Sequence, residues 1–575
     1  MKKFCRGTSV CLAFLLWAAI ALPAQTFTSL HNFDVTDGSI PAAGLVQGTD
    51  GNFYGTTYVG GAYGQGTIFK IIPSGTLTTL YNFCSQPGCS DGSNPLFGQL
   101  VQGSDGNFYG TTSGGGTGAY GAQGTVFKIT PSGALTTLYN FCSQSNCTDG
   151  NFPDVGLVLG TDGNFYGTTA YGGDTSCSSG CGTVFSITPN GALTTLHSFS
   201  GTDGMSTDAA LVRGTDGNFY GTTSNGGAGA YGAQGTVFKI TPSGTLTTLW
   251  NFCSQPSCSD GSNPFGALVQ GTDGNFYGTT QDQGGNGSDH NGTIFKITPS
   301  GTLTTLYAYA DGLGQPVGLI QGTDGNLYGT TYDGGTGAYG SCDGGGCGTI
   351  FAITPSGTLT TLWNFCSQSG CSDGRNPHAG LVEATNGTFY GTAQAGGANG
   401  YGTVFSLSVP QPCTTTYTGT FKGNVNISSG VICITNGTIT GNVTQSGGSL
   451  VTSDATIGGN LQITGGGTFS LASTTIDGDL QIQNIPAGTA QNQICGTDVK
   501  GNLQFHNNGT AVVIGNPSAS CAGNVIGNDL QIQNNTASVQ VYGDTVGGNL
   551  QCSSNSSIAG GSDTAKQTQG QCTGF

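Results

Sequence analysis

Gly48-Thr49-Asp50-Gly51-Asn52-Phe53-Tyr54-Gly55-Thr56-Thr57 is the stretch that decides the fold, because the chain repeats it almost letter for letter. Its tyrosine returns as Tyr109, Tyr166, Tyr220, Tyr277, Tyr328 and Tyr390, seven copies spaced 51 to 62 residues apart. Outward from the first copy, one period holds four short strand candidates, at residues 45–47, 52–57, 67–71 and 77–83. Asp50-Gly51 supplies the positive φ that a tight hairpin needs between the first two. Pro73-Ser74-Gly75 turns the chain between the third and fourth. A Gly-rich loop at 58–65 and a longer interblade loop make the other two connections.

Four strands per unit, seven times over, is the pattern of a β-propeller. Residues 27–33 (FTSLHNF) read like the fourth strand of a unit, and the last unit stops after its third strand at 403–407. The N-terminal strand is therefore expected to complete the last blade and close the ring, since an open end would leave unpaired edges. Composition shifts at residues 409–412, and a shorter repeat begins. Its Gly-Asn-Leu/Val signature places Val425, Val443, Leu461, Leu480, Leu503, Leu530 and Leu550 at spacings of 18 to 27 residues. One inward apolar position per coil predicts a parallel β-solenoid. Asn424, Asn442, Asn460, Asn502 and Asn549, with Asp479 and Asp529 in the same place, are expected to stack as a ladder. The fold class is all-β: a seven-bladed β-propeller over 25–410 and a solenoid over 411–575.

Met1-Lys2-Lys3, an apolar run at 10–22 and a small residue before Gln25 read as a signal peptide over residues 1–24. Without it the chain keeps nine basic residues against 29 acidic ones. So acidic a chain repels phosphate backbones and anionic lipid, which argues against nucleic-acid partners and membrane insertion. Eighteen cysteines remain. Six close pairs read as loop disulfides of an oxidising, extracellular compartment: Cys84–Cys89, Cys142–Cys147, Cys177–Cys181, Cys253–Cys258, Cys342–Cys347 and Cys366–Cys371. For Cys413, Cys433, Cys495, Cys521, Cys552 and Cys572, pairing in sequence order is the simplest scheme.

Propeller topology puts the 2→3 and interblade loops on one face, and variable loops on a rigid scaffold are where recognition sits. Two sets of candidates fall there. Tyr63, Tyr120, Tyr171, Tyr231, Tyr339 and Tyr401 in the Gly-rich loops would suit sugar rings if exposed; the competing reading packs them between blades. Asp37, Asp91, Asp149, Asp203, Asp260, Asp311 and Asp373 precede the innermost strands. They would hold a hard cation such as calcium if they ringed the channel, or would simply cap turns.

The repeat closely resembles the GloVer (Gloeo/Verruco) tandem-repeat family on two motifs, GTDGNFYGTT and GTVFKITPSG (124–133), over residues 26–409. The resemblance implies bacterial export and a repeat scaffold, with no catalytic residue to carry over. Enzymatic signatures are sparse. Glu383 is the single glutamate, Arg213 and Arg375 are the only arginines after the leader, and neither His290 nor His378 has a nucleophile motif beside it. Leu327 and Asn386-Gly387-Thr388 read as drift within the repeat. The expectation is an extracellular binding or surface-structural module, with glycan or a cell-envelope component as partner. The alternatives are a propeller enzyme on polysaccharide or lactone, and a purely adhesive envelope protein.

Overall fold

The computed structural model describes residues 25–282, 292–309, 314–337, 342, 346–384, 387–409, 413–465, 468–486, 492–515 and 522–575. The leader, His290, Asp311, Tyr339, Asn386 and Cys521 lie outside the described residues. Among the described residues the regular structure is strands and four one-turn 3-10 helices, and no helix is long and apolar enough to cross a membrane.

The repeat folds into seven antiparallel sheets. In the first, strands Val46–Gln47, Phe53–Thr57, Thr67–Ile71 and Leu77–Asn82 pair in order, within a residue or so of the sequence expectation. The two inner strands are almost wholly buried and the outermost is half-exposed, which sets the blade's orientation. Closure happens as expected. Thr26–Asn32 pairs antiparallel with Thr403–Ser408, from Thr26↔Ser408 to Asn32↔Thr403, and completes the seventh blade.

The motif's letters each do a stated job. The Tyr of one blade stacks on the Phe of the next: Tyr54 on Phe108, Tyr109 on Phe165 and Tyr166 on Phe219, each at 4.0 Å. The series returns to its start with Tyr390 on Phe53 at 4.1 Å. Leu327 replaces one phenylalanine, so the ring of aromatic pairs is broken once, opposite Tyr277. The Asp closes its own turn: Asp50 accepts from the Asn52 amide at 3.1 Å, the Asn52 side chain at 2.7 Å and the Tyr54 hydroxyl at 2.9 Å. Gly55 is required because a Cβ there would sit 2.6 Å from the Phe69 ring. The threonines tie blades together, Thr111 donating to Val155 O at 2.8 Å and Thr392 to Ala43 O at 3.1 Å across the closure.

The C-terminal third is a parallel solenoid. The Gly-Asn-Leu strands form an eight-stranded sheet in register, Leu461↔Leu480↔Leu503↔Leu530↔Leu550, and a thirteen-stranded sheet faces it. One continuous core of aliphatic residues fills the space between them. The expected ladder forms, side chain to backbone: Asn442 N donates to Asn424 Oδ1, Asn460 N to Asn442 Oδ1 and Asp479 N to Asn460 Oδ1, each at 2.8 Å. A second, buried ladder runs Asn508–Asn535–Asn555–Gln571. Cys413–Cys433 and Cys552–Cys572 clamp the two ends of the solenoid, and all six propeller pairs are disulfides.

Candidate functional site

The interblade connections and the 2→3 loops meet on one face. Bridges Ser39↔Val59, Ser93↔Gly114, Asn151↔Tyr171, Met205↔Asn225 and Arg375↔Ala395 join the two kinds of loop in five blades. On this face Tyr63, Tyr120, Tyr171, Tyr231 and Tyr401 stand 55%, 61%, 41%, 59% and 43% exposed, which removes the reading that packs them between blades. The loops carrying them are anchored from below: Tyr120 N donates to Cys142 O at 3.0 Å and Tyr231 N to Cys253 O at 2.9 Å. Two of the disulfide turns therefore support loops that present the rings.

The six described aspartates of the Asp-Gly steps bond to residues of the outermost strands and their turns instead of ringing the channel. Asp91 accepts from the Tyr81 hydroxyl at 2.7 Å, from Ser85 N and Oγ at 2.9 and 2.8 Å, and from Gln86 N at 3.3 Å. Asp149 is held by Tyr139, Ser143 and Gln144, while Asp260 and Asp373 take the indole N–H of Trp250 and Trp363. Asp37 and Asp203 pair with His31 and His197 at 2.7 and 2.9 Å. All these partners lie in or just after outermost strands, so the six described carboxylates are spread around the rim. The physical reason is local: the carboxylate satisfies backbone N–H groups of its own turn, and its remaining lone pairs meet the nearest aromatic donor. Among the described residues the only cluster of three metal-type ligands is Cys342, Cys347 and Cys366, whose sulfurs are in disulfides.

What does converge on the axis is a different column of the repeat, the residue leading into each innermost strand. Its members are Ala42, Phe97, Asp154, Asp208, Phe265, Val317 and His378. Six of the seven follow a proline, directly or with one residue between, and the column differs in chemistry from blade to blade. Its trace in the sequence is a column that does not repeat beside columns that do. All of them but Asp154 line a cavity of about 170 Å³. Three rings from blades two, five and seven meet across the axis. His378 stacks on Phe97 at 4.7 Å, and Phe265 meets Phe97 and His378 edge-on at 5.2 and 5.4 Å. Tyr332 closes on His378 at 5.2 Å.

The polar groups here are poorly satisfied, unlike those of the rim. Asp154 is 5% exposed, and its Oδ1 has no hydrogen-bond partner. Burial first, and the Asp208 charge second, push its carboxyl well above the usual range. Asp208 is also raised by burial, against a 2.5 Å hydrogen bond from Ser224 Oγ. Burial lowers His378 to about 4, so its imidazole is neutral, and its Nδ1 has no partner. Glu383 belongs to the opposite face, accepting from Thr323 N and Oγ1 at 2.9 Å in the preceding blade's short turn.

A model of the Gloeobacter/Verrucomicrobia repeat matches residues 18–179 and 143–342, more than half of the chain. No match is found among curated protein sequences. Among solved structures, the chain is similar to an inactive variant of virginiamycin B lyase from Staphylococcus aureus with quinupristin. That match has 17% identity over 67% of this chain and 99% of that one, with a TM-score of 0.44. It is also similar to a luciferin-regenerating enzyme, at 11% identity over 67% of this chain and 96% of that one, with a TM-score of 0.34. With its repeat, ring closure and loop face described, the chain belongs to the Gloeobacter/Verrucomicrobia repeat family.

Proposed function

We propose that the protein is a secreted binding module that holds carbohydrate on the long-loop face of its propeller. The observation that carries the reading is the set of five exposed tyrosines on one face. Aromatic faces stack on the apolar faces of sugar rings, and loops held by backbone hydrogen bonds present them at low entropic cost. Secretion is supported by the leader-like first 24 residues and by eight described disulfides, which belong to an oxidising compartment. The test is retention of the mature full chain on a panel of insoluble polysaccharides, with released sugar read in the same tubes. Retention without release, reduced at least tenfold when Tyr120 and Tyr231 are changed to Ala, is the expected result. No retention on any polymer sinks the reading.

A second reading is favoured by the axial carboxylates alone. Asp208 in the cavity wall and Asp154 in the next blade both have carboxyls raised by burial, and such groups can perform general acid–base work on a polysaccharide or lactone. Released product in the same tubes, abolished by Asp208→Asn, would move the conclusion to it.

A further inference from the structure

We propose that the outer face of the solenoid's eight-stranded sheet is a second binding surface, which takes a neutral, extended polysaccharide along a ladder of glutamine amides. This surface lies outside the propeller's loop face and does not depend on its tyrosines. Each coil of the sheet alternates inward and outward residues. Leu461, Leu480, Leu503, Leu530 and Leu550 belong to the core, as do the residues two places after each of them. The residues between point outward and stand in parallel register from coil to coil: Gln462, Gln481, Gln504, Gln531, Gln551 and Gln569. A second outward rank runs Thr464, Gln483, His506, Gln533 and Ser553. Every member of both ranks is at least partly exposed.

Nothing in the coil requires glutamine at these places. The alternate positions of the facing sheet, in the same coils, read Ser470, Gln493, Val513, Gln540 and Ala559. Nor do the outer amides zip to one another as the buried asparagines do. Among the described residues one amide–amide bond joins neighbours of the first rank, from Gln504 Nε2 to Gln531 Oε1 at 3.2 Å. The other amides keep both donors and acceptors to offer at the surface.

Charge and size select the occupant. The eight strands contain no Asp, Glu, Lys or Arg. Burial lowers the pKa of their one histidine, His506, which is therefore neutral at neutral pH. In a chain with a net charge of −17, this strip is uncharged. A charged polymer would give up hydration here and meet no counter-charge. A neutral sugar hydroxyl both donates and accepts, and so does the amide. Eight rungs about 4.8 Å apart, each presenting about 10 Å of strand, make a strip on the order of 350 Å². That is less than half of the roughly 800 Å² per partner that a stable protein interface buries, which argues against a second copy of this chain. A polysaccharide lying along the ladder meets an amide at each glutamine rung, and many weak bonds add up on a surface that is already rigid.

The test is retention of the mature full chain on microcrystalline cellulose and on insoluble chitin, both neutral polymers. The Tyr120→Ala/Tyr231→Ala double variant isolates the solenoid's share. A weaker retention should remain in it, equal at low and high salt. Adding Gln481→Glu and Gln531→Glu should lower that remainder at least tenfold. Adding Gln493→Glu and Gln540→Glu instead, on the facing sheet, should change it less than twofold, with circular dichroism checking the fold of both. Gln481→Thr with Gln531→Thr keeps uncharged strand formers in place; it should give a smaller loss and serves if the glutamate variant fails to fold. No remainder in the tyrosine variant overturns the solenoid surface and leaves the loop-face reading standing. A remainder that salt removes, that survives the Gln481 and Gln531 changes in folded protein, or that falls equally with the facing-sheet changes also overturns it. No retention of the unchanged chain on either polymer overturns it too, whatever charged polysaccharides show for the loop face.

Discussion

Asp91 and Asp154 are both buried aspartates, and they stand in opposite conditions. Asp91 accepts four hydrogen bonds from its own turn and the adjacent strand, so it is a structural brace. Asp91→Ala would orphan two backbone N–H groups and take an acceptor from the Tyr81 and Ser85 hydroxyls, and should destabilise the propeller by roughly 1–3 kcal/mol, read by denaturant titration. The loss should be the same with calcium or with chelator present, because the carboxylate is occupied by protein donors. Asp154 has an oxygen with no partner, and its burial disfavours the charge. Its folded pKa is raised, so the stability it contributes is full below the unfolded value near 4 and is lost as pH rises. Asp154→Asn should therefore be neutral or stabilising at pH 8, on the order of 1 kcal/mol. A residue whose removal stabilises the fold is one the fold alone does not explain.

At the scale of elements, the ring depends on a strand far from its partner in sequence. Thr26–Asn32 pairs with Thr403–Ser408, and its Phe27 stacks on Trp363 at 4.5 Å and packs against Phe365 and Phe405. Deleting residues 25–33 removes six ladder positions and exposes the edge of the seventh blade, a site for pairing with other chains. The expected outcome is a fall in melting temperature of about 10 °C or more with concentration-dependent aggregation, measured by light scattering during a thermal scan. In the solenoid the inner ladder is as exacting. Asn535 donates to Asn555 and to Phe505 O, and accepts from Asn508 twice. Asn535→Ala should cost about 2–4 kcal/mol, since it leaves several buried partners unsatisfied at once. Hydrogen exchange should show the opening confined to the coils around it.

At the scale of the whole molecule, the propeller's turn aspartates and the solenoid's Asp544 are shifted in opposite directions. Burial alone would raise Asp50 and Asp273, but hydrogen bonds from the neighbouring Asn, Tyr and Lys outweigh it and hold both at about 2. Their contribution is present above the unfolded pKa near 4 and lost as pH falls toward 2. Burial raises Asp544 in the solenoid to about 7, against hydrogen bonds from Asn524 and with help from the Asp563 charge. That contribution is present below about 4 and lost as pH rises through 7. Calorimetry at pH 5 and pH 8 should therefore show a solenoid transition that moves down with rising pH. The propeller's turn aspartates should fail only below about pH 4. Asp544→Asn should flatten the solenoid's dependence, since asparagine fills the equivalent place in the neighbouring ladder of Asn508, Asn535 and Asn555.

How much was legible follows from the range over which each feature is determined. Strand boundaries, turns, ring closure, the stacked ladder and the six loop disulfides are written in local spacing: Asp-Gly turns, alternating apolar residues and cysteines four or five apart. Repetition then multiplies each local signal sevenfold. The exposure of the loop tyrosines and the fate of the rim aspartates were each open between two readings, because both depend on which atoms lie beside them. Tertiary structure decided them by placing aromatic donors of the outer strands against the aspartates and leaving the tyrosines above the anchored loops. The axial site was decided by the closed ring alone. Phe97, Phe265 and His378 are more than a hundred residues apart in the chain and meet only because seven blades share one axis. The repeat thus determined the scaffold, and the geometry of closure determined which of its exceptions face each other.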